Sequence, residues 1–531
     1  MFFRELEYQN LIIVVLLGIV FFLPFFGAQN FSPATDEIVH LPAGYSYWKT
    51  GQTVLNPEHP PLVKLMAAFP LLFMDLKFDP NDPDLIGPIR NEWSFGSNFL
   101  FSNDVDRLLL WGRLPVMLMS VLLGLYIYKW ASELFNYQAG IWSLFLYAFM
   151  PVMITNAQFV TTDLPIASFS FIAFYYLWKF VTTGLKKYLA CSGLFLGLAL
   201  SSKFSAVVFL PLIAVFIFIY AWRSCQNSLA LKIRRFVILA ALATVPAFAV
   251  IYFSYLMPTD SGFYLKGFKS VYANWNPGYY FYLNGVFSQN GWWYYFLEAF
   301  LIKTPIPALI AFAASILFYK RIKINGWGKA LIFSPMLFFA FVTSVKAHNI
   351  SIRYILPVYP FLIVWAGGLV KIFNFQFSIF NKFSIANLKI FMPLILSVWY
   401  VFSAISIYPD YMAYFNEFVG GSKNGYKYLD DSNVEWGQDL KRLGEYQISN
   451  PDIRVIYSWR NSSPEYYGVK NLLMADDSGW WREPKGRYAV NTFLLIRMRL
   501  LSKQRSDPAL NWLALYEPIG RIGQSFFIYE F

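Results

Sequence analysis

Apolar windows close to the length of a bilayer crossing recur along the chain, at about 11–28, 108–131, 139–157, 164–182, 188–202, 204–222, 236–257, 297–319, 329–345, 352–373 and 388–408. They predict an all-α polytopic membrane domain of about eleven transmembrane helices. The first window follows the polar decapeptide MFFRELEYQN and has no small-residue cleavage site after it, so a retained helix is expected rather than a signal peptide. Three segments are too polar to cross: 29–107, 258–296 and 409–531. In the first, Leu62, Leu65, Met66, Phe69, Leu72 and Phe73 recur at helical spacing over a stretch too short to span, which predicts a helix lying in the membrane interface. The second is crowded with tyrosine and tryptophan, residues that favour the headgroup layer.

The tail changes character. GGSKNGYKYLDDSN reads as turns, VEWGQDLKRLGEYQ as a helix, and IRVIYSW, RYAVNTFLLI and SFFIYEF as strands. The expected organisation is a transmembrane catalytic domain over 1–408, carrying loops 29–107 and 258–296, followed by a small C-terminal α/β domain over 409–531.

Composition agrees with the pattern: 57% of residues are apolar and 14% charged, against about 45–50% and 25% in soluble domains. A net charge of +12 would suit nucleic acid, but its placement argues against that partner. Basic residues gather in alternate loops, at Lys179, Lys186 and Lys187, at Arg223, Lys232, Arg234 and Arg235, at Lys320, Arg321, Lys323 and Lys329, and at Lys371, Lys382 and Lys389. By the positive-inside rule these loops are cytoplasmic, as is the N-terminus, and an eleventh span puts the tail outside a plasma (inner) membrane. Two cysteines, Cys191 and Cys225, give no disulfide framework, and sequons at Asn30, Asn349 and Asn461 are too common a pattern to carry weight.

Sorted by expected side, the chemistry-bearing residues fall on the outer face: Asp36, Glu37, His40, Glu58, His59, Asp163, Lys203, Lys346, His348 and Arg353. A carboxylate in partly dry surroundings suits a general base for a hydroxyl, and Lys203, Lys346, His348 and Arg353 suit an anionic phosphate. Together they suggest group transfer from a phospholipid. Simpler readings stand beside this one. Asp36 could cap a helix, Lys203 could snorkel, and Lys346 and Arg353 could meet lipid headgroups. His40, His59 and Glu58 show no compact metal-binding spacing, so neither a metal nor another cofactor is expected. Tyr45, in GYSYW, could stack on a sugar or anchor the interface.

An acidic pair after the first span, followed by GYSYW, NPEHPPLVK and an interface helix, resembles the polyprenyl-phosphate-dependent glycosyltransferases of the GT-C fold. Within them the chain is similar to bacterial relatives of the protein O-mannosyltransferases and to the transferase that adds aminoarabinose to lipid A. TTDLP, SSKFSA, HNISIRYILPVYPFL and YFNEFVGGSKNGYKYLDDSNVEWGQDLKRL extend the resemblance over nearly the whole chain. The resemblance implies Asp36 as catalytic base with Glu37 beside it, and Lys203 and Arg353, with Lys346 and His348 near them, as holders of the donor phosphate. It implies Glu58, His59, Lys64, Asp163 and Tyr45 as substrate-side residues, with His59 standing where the lipid A enzymes carry lysine. The implied reaction moves a sugar from a polyprenyl-phosphate donor to a hydroxyl acceptor with inversion, without a metal. The alternative is a transporter or flippase for a lipid-linked sugar, which would place its charges near the membrane midplane and show repeated halves.

Overall fold

The structure is a computed structural model that describes residues 2–224, 228–273, 276–373, 388–458, 462–473, 485–505 and 516–531. Cys225, Lys382 and Asn461 lie outside the described residues. Among the described residues seven helices are long and apolar enough to cross a membrane: Asn10–Ala28, Val105–Leu134, Asp163–Thr183, Phe204–Arg223, Leu229–Ser254, Gly326–Lys346 and Ile352–Ile372. Two more windows form bent pairs, Tyr137–Ala148 with Pro151–Ala157 at 67° and Tyr295–Lys303 with Ile306–Leu317 at 119°. Among the described residues the helices long and apolar enough to cross thus number seven, or up to nine if each bent pair is one span, beside about eleven expected hydropathy windows. Each bend coincides with a proline, Pro151 or Pro305, which supplies no N–H and disfavours helix in the residue before it. The expected span at 188–202 is a 15-residue helix, Lys186–Leu200, only about 22 Å long at 1.5 Å per residue. The last expected span is the helix Leu388–Ile405.

The first polar segment folds as a compact unit against the spans. After the first helix, α1 (Phe2–Ala28), comes α2 (Thr35–Thr50), whose C-terminus is closed by Gly51 at φ 71° with its N–H on the Tyr47 carbonyl. The interface helix is observed as α3 (Leu62–Ala68) running into a 3₁₀ turn, Phe69–Phe73. A Cβ at Gly44 of α2 would lie 2.0 Å from the Lys64 carbonyl oxygen, so glycine permits the two helices to touch. Trp48 Nε1 donates to the Leu65 carbonyl at 2.8 Å across the same contact.

The 258–296 segment carries a helix, Phe263–Ala273, and a hairpin of β1 (Phe281–Leu283) and β2 (Val286–Ser288) turned at Asn284 and Gly285. In the tail, β3 (Arg454–Ile456), β4 (Leu472–Leu473), β5 (Arg487–Asn491), β6 (Gly520–Ile522) and β7 (Phe526–Glu530) form one sheet in the order β4-β3-β5-β7-β6. β3 is parallel to β4 and β5, and β7 is antiparallel to β5 and β6. The expected α/β character holds, with two corrections. The helix expected over VEWGQDLKRLGEYQ begins only at Leu440. RYAVNTFLLI is a strand only as far as Asn491, whose Oδ1 accepts from the Leu494 N–H at 3.3 Å and starts the helix Thr492–Arg505.

Candidate functional site

Four of the expected site residues meet at one end of the helical bundle, each beside a helix start. Asp36 lies in the first turn of α2, Asp163 opens the helix Asp163–Thr183, Lys203 precedes the 3₁₀ turn Phe204–Val208, and Arg353 lies in the 3₁₀ turn Ile352–Val358. Their charges alternate in space. Asp36 Oδ2 accepts from Arg353 NH1 at 3.0 Å, the same nitrogen lies 3.6 Å from Asp163 Oδ2, and Asp163 Oδ1 accepts from Lys203 Nζ at 2.5 Å. Asp36 is the most open of the four, 26% exposed where Asp163 is 3%.

The Arg353 guanidinium carbon lies over the Trp436 ring of the tail, 3.9 Å from its centroid, and Lys203 Nζ lies 4.7 Å from the centre of the Tyr354 ring. Arg353 Nε is buried with no acceptor among the described residues. The guanidinium therefore keeps a donor in reserve next to two carboxylates.

Asp36 is not a helix cap. The N-cap is Ala34, which has no side-chain acceptor, and it is Glu37 that reaches back to the Ala34 N–H at 2.9 Å. Glu37 consequently has a different place from the one expected beside Asp36. Fully buried, it receives Arg113 Nε and NH2 at 2.8 and 2.7 Å and the Val160 N–H at 2.9 Å. Arg113 in turn donates to the carbonyls of Ala28 and Ser32. Both carboxylate oxygens are occupied, so Glu37 fixes the α1–α2 junction to the 158–162 loop.

Expectations at four further residues are corrected. Tyr45 is buried between Phe78 and Phe99, with ring centroids at 5.4 and 5.1 Å, and is core. Lys64 is fully buried and donates to the carbonyls of Asn56 at 2.5 Å and His59 at 2.8 Å, so it shapes the NPEHPP loop. Burial lowers its pKa and raises that of Glu92, whose carboxylate accepts from Asn56 Nδ2 at 3.0 Å. Lys346, at the end of its helix, is exposed and takes no part in the charge chain, and His348 stacks on Phe281 at 5.9 Å. Glu58 is half-buried, with Lys64 and Glu92 in electrostatic range.

The histidines of the first segment form a second wall. His40, one turn beyond Asp36, donates Nδ1–H to the Val160 carbonyl at 3.1 Å and meets His59 edge to face at 5.2 Å. Burial, then His40, Lys203, Lys64 and Arg353, hold the His59 pKa well below its ordinary 6.5. Burial also lowers that of His40 against the opposing pull of Asp36. An imidazole kept neutral when folded takes up a proton more readily unfolded. Its stabilisation is present above about pH 6.5 and is lost as the pH falls through the folded value. Thermal unfolding in detergent should thus show a midpoint that falls on acidification below about pH 6.5. His59→Gln, which cannot titrate, should flatten that dependence.

Beside the charges lies an apolar groove of about 960 Å³. Trp48, Leu65 and Phe69 line it from the first segment, and Leu118, Phe169 and Val250 from the spans. Its rim adjoins the lysine turn, because Ser254 Oγ donates to Ser201 Oγ at 3.1 Å and the Leu62 N–H to the Ser201 carbonyl at 3.2 Å. Among the described residues no group of three or more His, Cys, Asp or Glu is close enough to hold a metal.

Residues 106–253, less than a third of the chain, match the family model of dolichyl-phosphate-mannose-protein mannosyltransferases. Over that stretch the match bears out the resemblance to polyprenyl-phosphate-dependent glycosyltransferases. None of the curated proteins matches the chain. Among solved structures the chain is similar to ArnT from Cupriavidus metallidurans bound to undecaprenyl phosphate, at 12% identity over 98% of this chain and 97% of that one, TM-score 0.47. It is similar to the archaeal oligosaccharyltransferase AglB from Archaeoglobus fulgidus in complex with an inhibitory peptide and a dolichol-phosphate, at 12% identity over 96% and 71%, TM-score 0.47. The S. cerevisiae Pmt1–Pmt2 complex bound to the sugar donor aligns at 16% identity over 48% and 35%, TM-score 0.33.

Proposed function

We propose that the protein is an integral-membrane inverting glycosyltransferase of the GT-C type, using a sugar carried on a polyprenyl phosphate and a hydroxyl acceptor at the outer face of the plasma membrane. The observation that carries this reading is the charge chain Asp36–Arg353–Asp163–Lys203, with an apolar groove joined to its lysine turn through the Ser254–Ser201 hydrogen bond. The groove accommodates a prenyl tail, and Lys203 and Arg353 meet the phosphate. Asp36 takes the proton of the acceptor hydroxyl as its oxygen attacks the anomeric carbon. The bond from that carbon to the phosphate oxygen breaks, and the electron pair leaves with the polyprenyl phosphate, balanced by Lys203 and Arg353. A single displacement inverts the anomeric centre. Arg353 is paired to Asp36. A phosphate that recruits Arg353 frees the carboxylate, so donor binding should precede acceptor activation.

The family match makes a mannosyl-phosphoryl polyprenol the first donor to test. Purified protein in proteoliposomes should form a new glycosidic bond to a hydroxyl acceptor, and Lys203→Met should raise the donor KM about tenfold. Mass spectrometry of envelope glycans and glycoproteins with and without the protein should identify one missing sugar. Passage of the donor across the bilayer with no bond formed would instead favour a lipid-linked-sugar transporter.

A further inference from the structure

One short stretch of the tail, 432–440, grips both sides of the Asp36–Arg353 pair. On the Asp36 side, the Trp436 carbonyl accepts from the Thr35 N–H at 3.0 Å and the Thr35 hydroxyl at 3.1 Å. The Ser32 N–H donates to the Gln438 carbonyl and its hydroxyl to the Gly437 carbonyl, both at 3.0 Å, while the Leu440 N–H returns to the Ser32 hydroxyl at 3.1 Å. Gly437 at φ 85° makes the turn that aims these carbonyls at the start of α2. On the Arg353 side, Asn433 Oδ1 accepts from the Ile352 N–H at 3.0 Å and Asn433 Nδ2 donates to the Ile350 carbonyl at 2.7 Å. Between the two anchors sits the Trp436 ring, 4% exposed, against the guanidinium.

An ion pair through one nitrogen holds only one edge of a guanidinium. Arg353 contacts both carboxylates through NH1, and its Nε has no acceptor among the described residues, so these contacts alone leave the plane free to swing. A flat ring at 3.9 Å removes that freedom, and the hydrogen bonds around it tie the ring to the helix that carries Asp36. We infer that Trp436 is a positioning residue for the reaction proposed above, setting the place of the Arg353 charge relative to the Asp36 carboxylate. On this view, the tail completes the catalytic centre and is not only a domain beside it. The inference rests on the assignment of Arg353 to the donor phosphate.

The test uses the full-length protein in proteoliposomes with a mannosyl-phosphoryl polyprenol, comparing Trp436→Phe and Trp436→Leu. Phe retains an aromatic face and should keep turnover near wild type. Leu fills space without one and should lower kcat about 10–100-fold at an unchanged melting temperature. Adding Trp436→Leu to Arg353→Lys should cost less than the product of the two separate losses, since both act through one cation. Wild-type turnover in Trp436→Leu, equal loss in the Phe and Leu variants, multiplicative losses in the double variant, or a loss that tracks a lowered melting temperature would each overturn the inference while leaving the transferase reading intact. If wild-type protein transfers no sugar from any polyprenyl-phosphate donor, that reading fails. The positioning role is then decided by a cryo-EM structure of Trp436→Leu. A guanidinium displaced from Asp36 supports it, and an unmoved one overturns it.

Discussion

Asp36→Asn should lower sugar transfer by about 10²–10⁴-fold, the usual contribution of a positioned general base, with expression and melting temperature close to wild type. The asymmetry follows from where the side chain sits. Asn has nearly the shape of Asp and can still accept from Arg353 NH1, while Arg353 retains Asp163 at 3.6 Å, so no buried charge is stranded. Asn cannot take the proton of an attacking hydroxyl. The loss should therefore appear in kcat. The donor KM should not rise, because a neutral residue at 36 competes less with phosphate for Arg353. Initial rates against donor concentration, measured in proteoliposomes, separate the two parameters. Near-normal turnover in this variant would remove Asp36 from the mechanism, and a loss confined to KM would make it a binding residue.

Position in the sequence was informative where chemistry lies at span ends and misleading where it depends on direction. Asp36, Asp163, Lys203 and Arg353 could be gathered on one face by hydropathy and charge alone, and the structure joins them within 3.6 Å. Glu37 could not be separated from Asp36 in this way, because neighbours on a helix point about 100° apart and only the fold shows where each one faces. Lys64 and Tyr45 belong to motifs that suggest substrate contact, yet burial gives them structural work. Arg113 and Lys303 did leave a signal: a basic residue inside an apolar window is expensive unless it has partners. Arg113 finds Glu37, and Lys303 Nζ donates to the carbonyls of Met412 and Asn433, both at 2.6 Å. Hydropathy windows also measure composition and not geometry, so they show neither the bends at Pro151 and Pro305 nor the shortness of the helix Lys186–Leu200. Trp436 carried no local mark of its role. Its partner Arg353 is 83 residues away by number, and only tertiary structure pairs them.

Breaking the Glu37–Arg113 pair should destabilise the protein more than any change at the charge chain. Each side chain is almost wholly buried, 0% and 2% exposed, and each satisfies more than the other. Glu37 also takes the N–H groups of Ala34 and Val160, and Arg113 the carbonyls of Ala28 and Ser32. Glu37→Gln leaves a guanidinium without its counter-charge in a dry site, and Arg113→Met does the same to a carboxylate. Either should cost about 3–5 kcal/mol, the range for stranding one partner of a buried pair. The double variant should be less destabilised than the sum of the two, because no uncompensated charge remains. Activity in the single variants should fall together with the melting temperature, since Glu37 ties the helix bearing Asp36 to the loop that leads into Asp163. That joint loss separates Glu37 from Asp36, whose replacement removes activity alone. Thermal unfolding of the three variants in detergent decides the matter. Single variants as stable as wild type would show that the pair does not hold the junction, and would reopen a direct role for Glu37 in the chemistry.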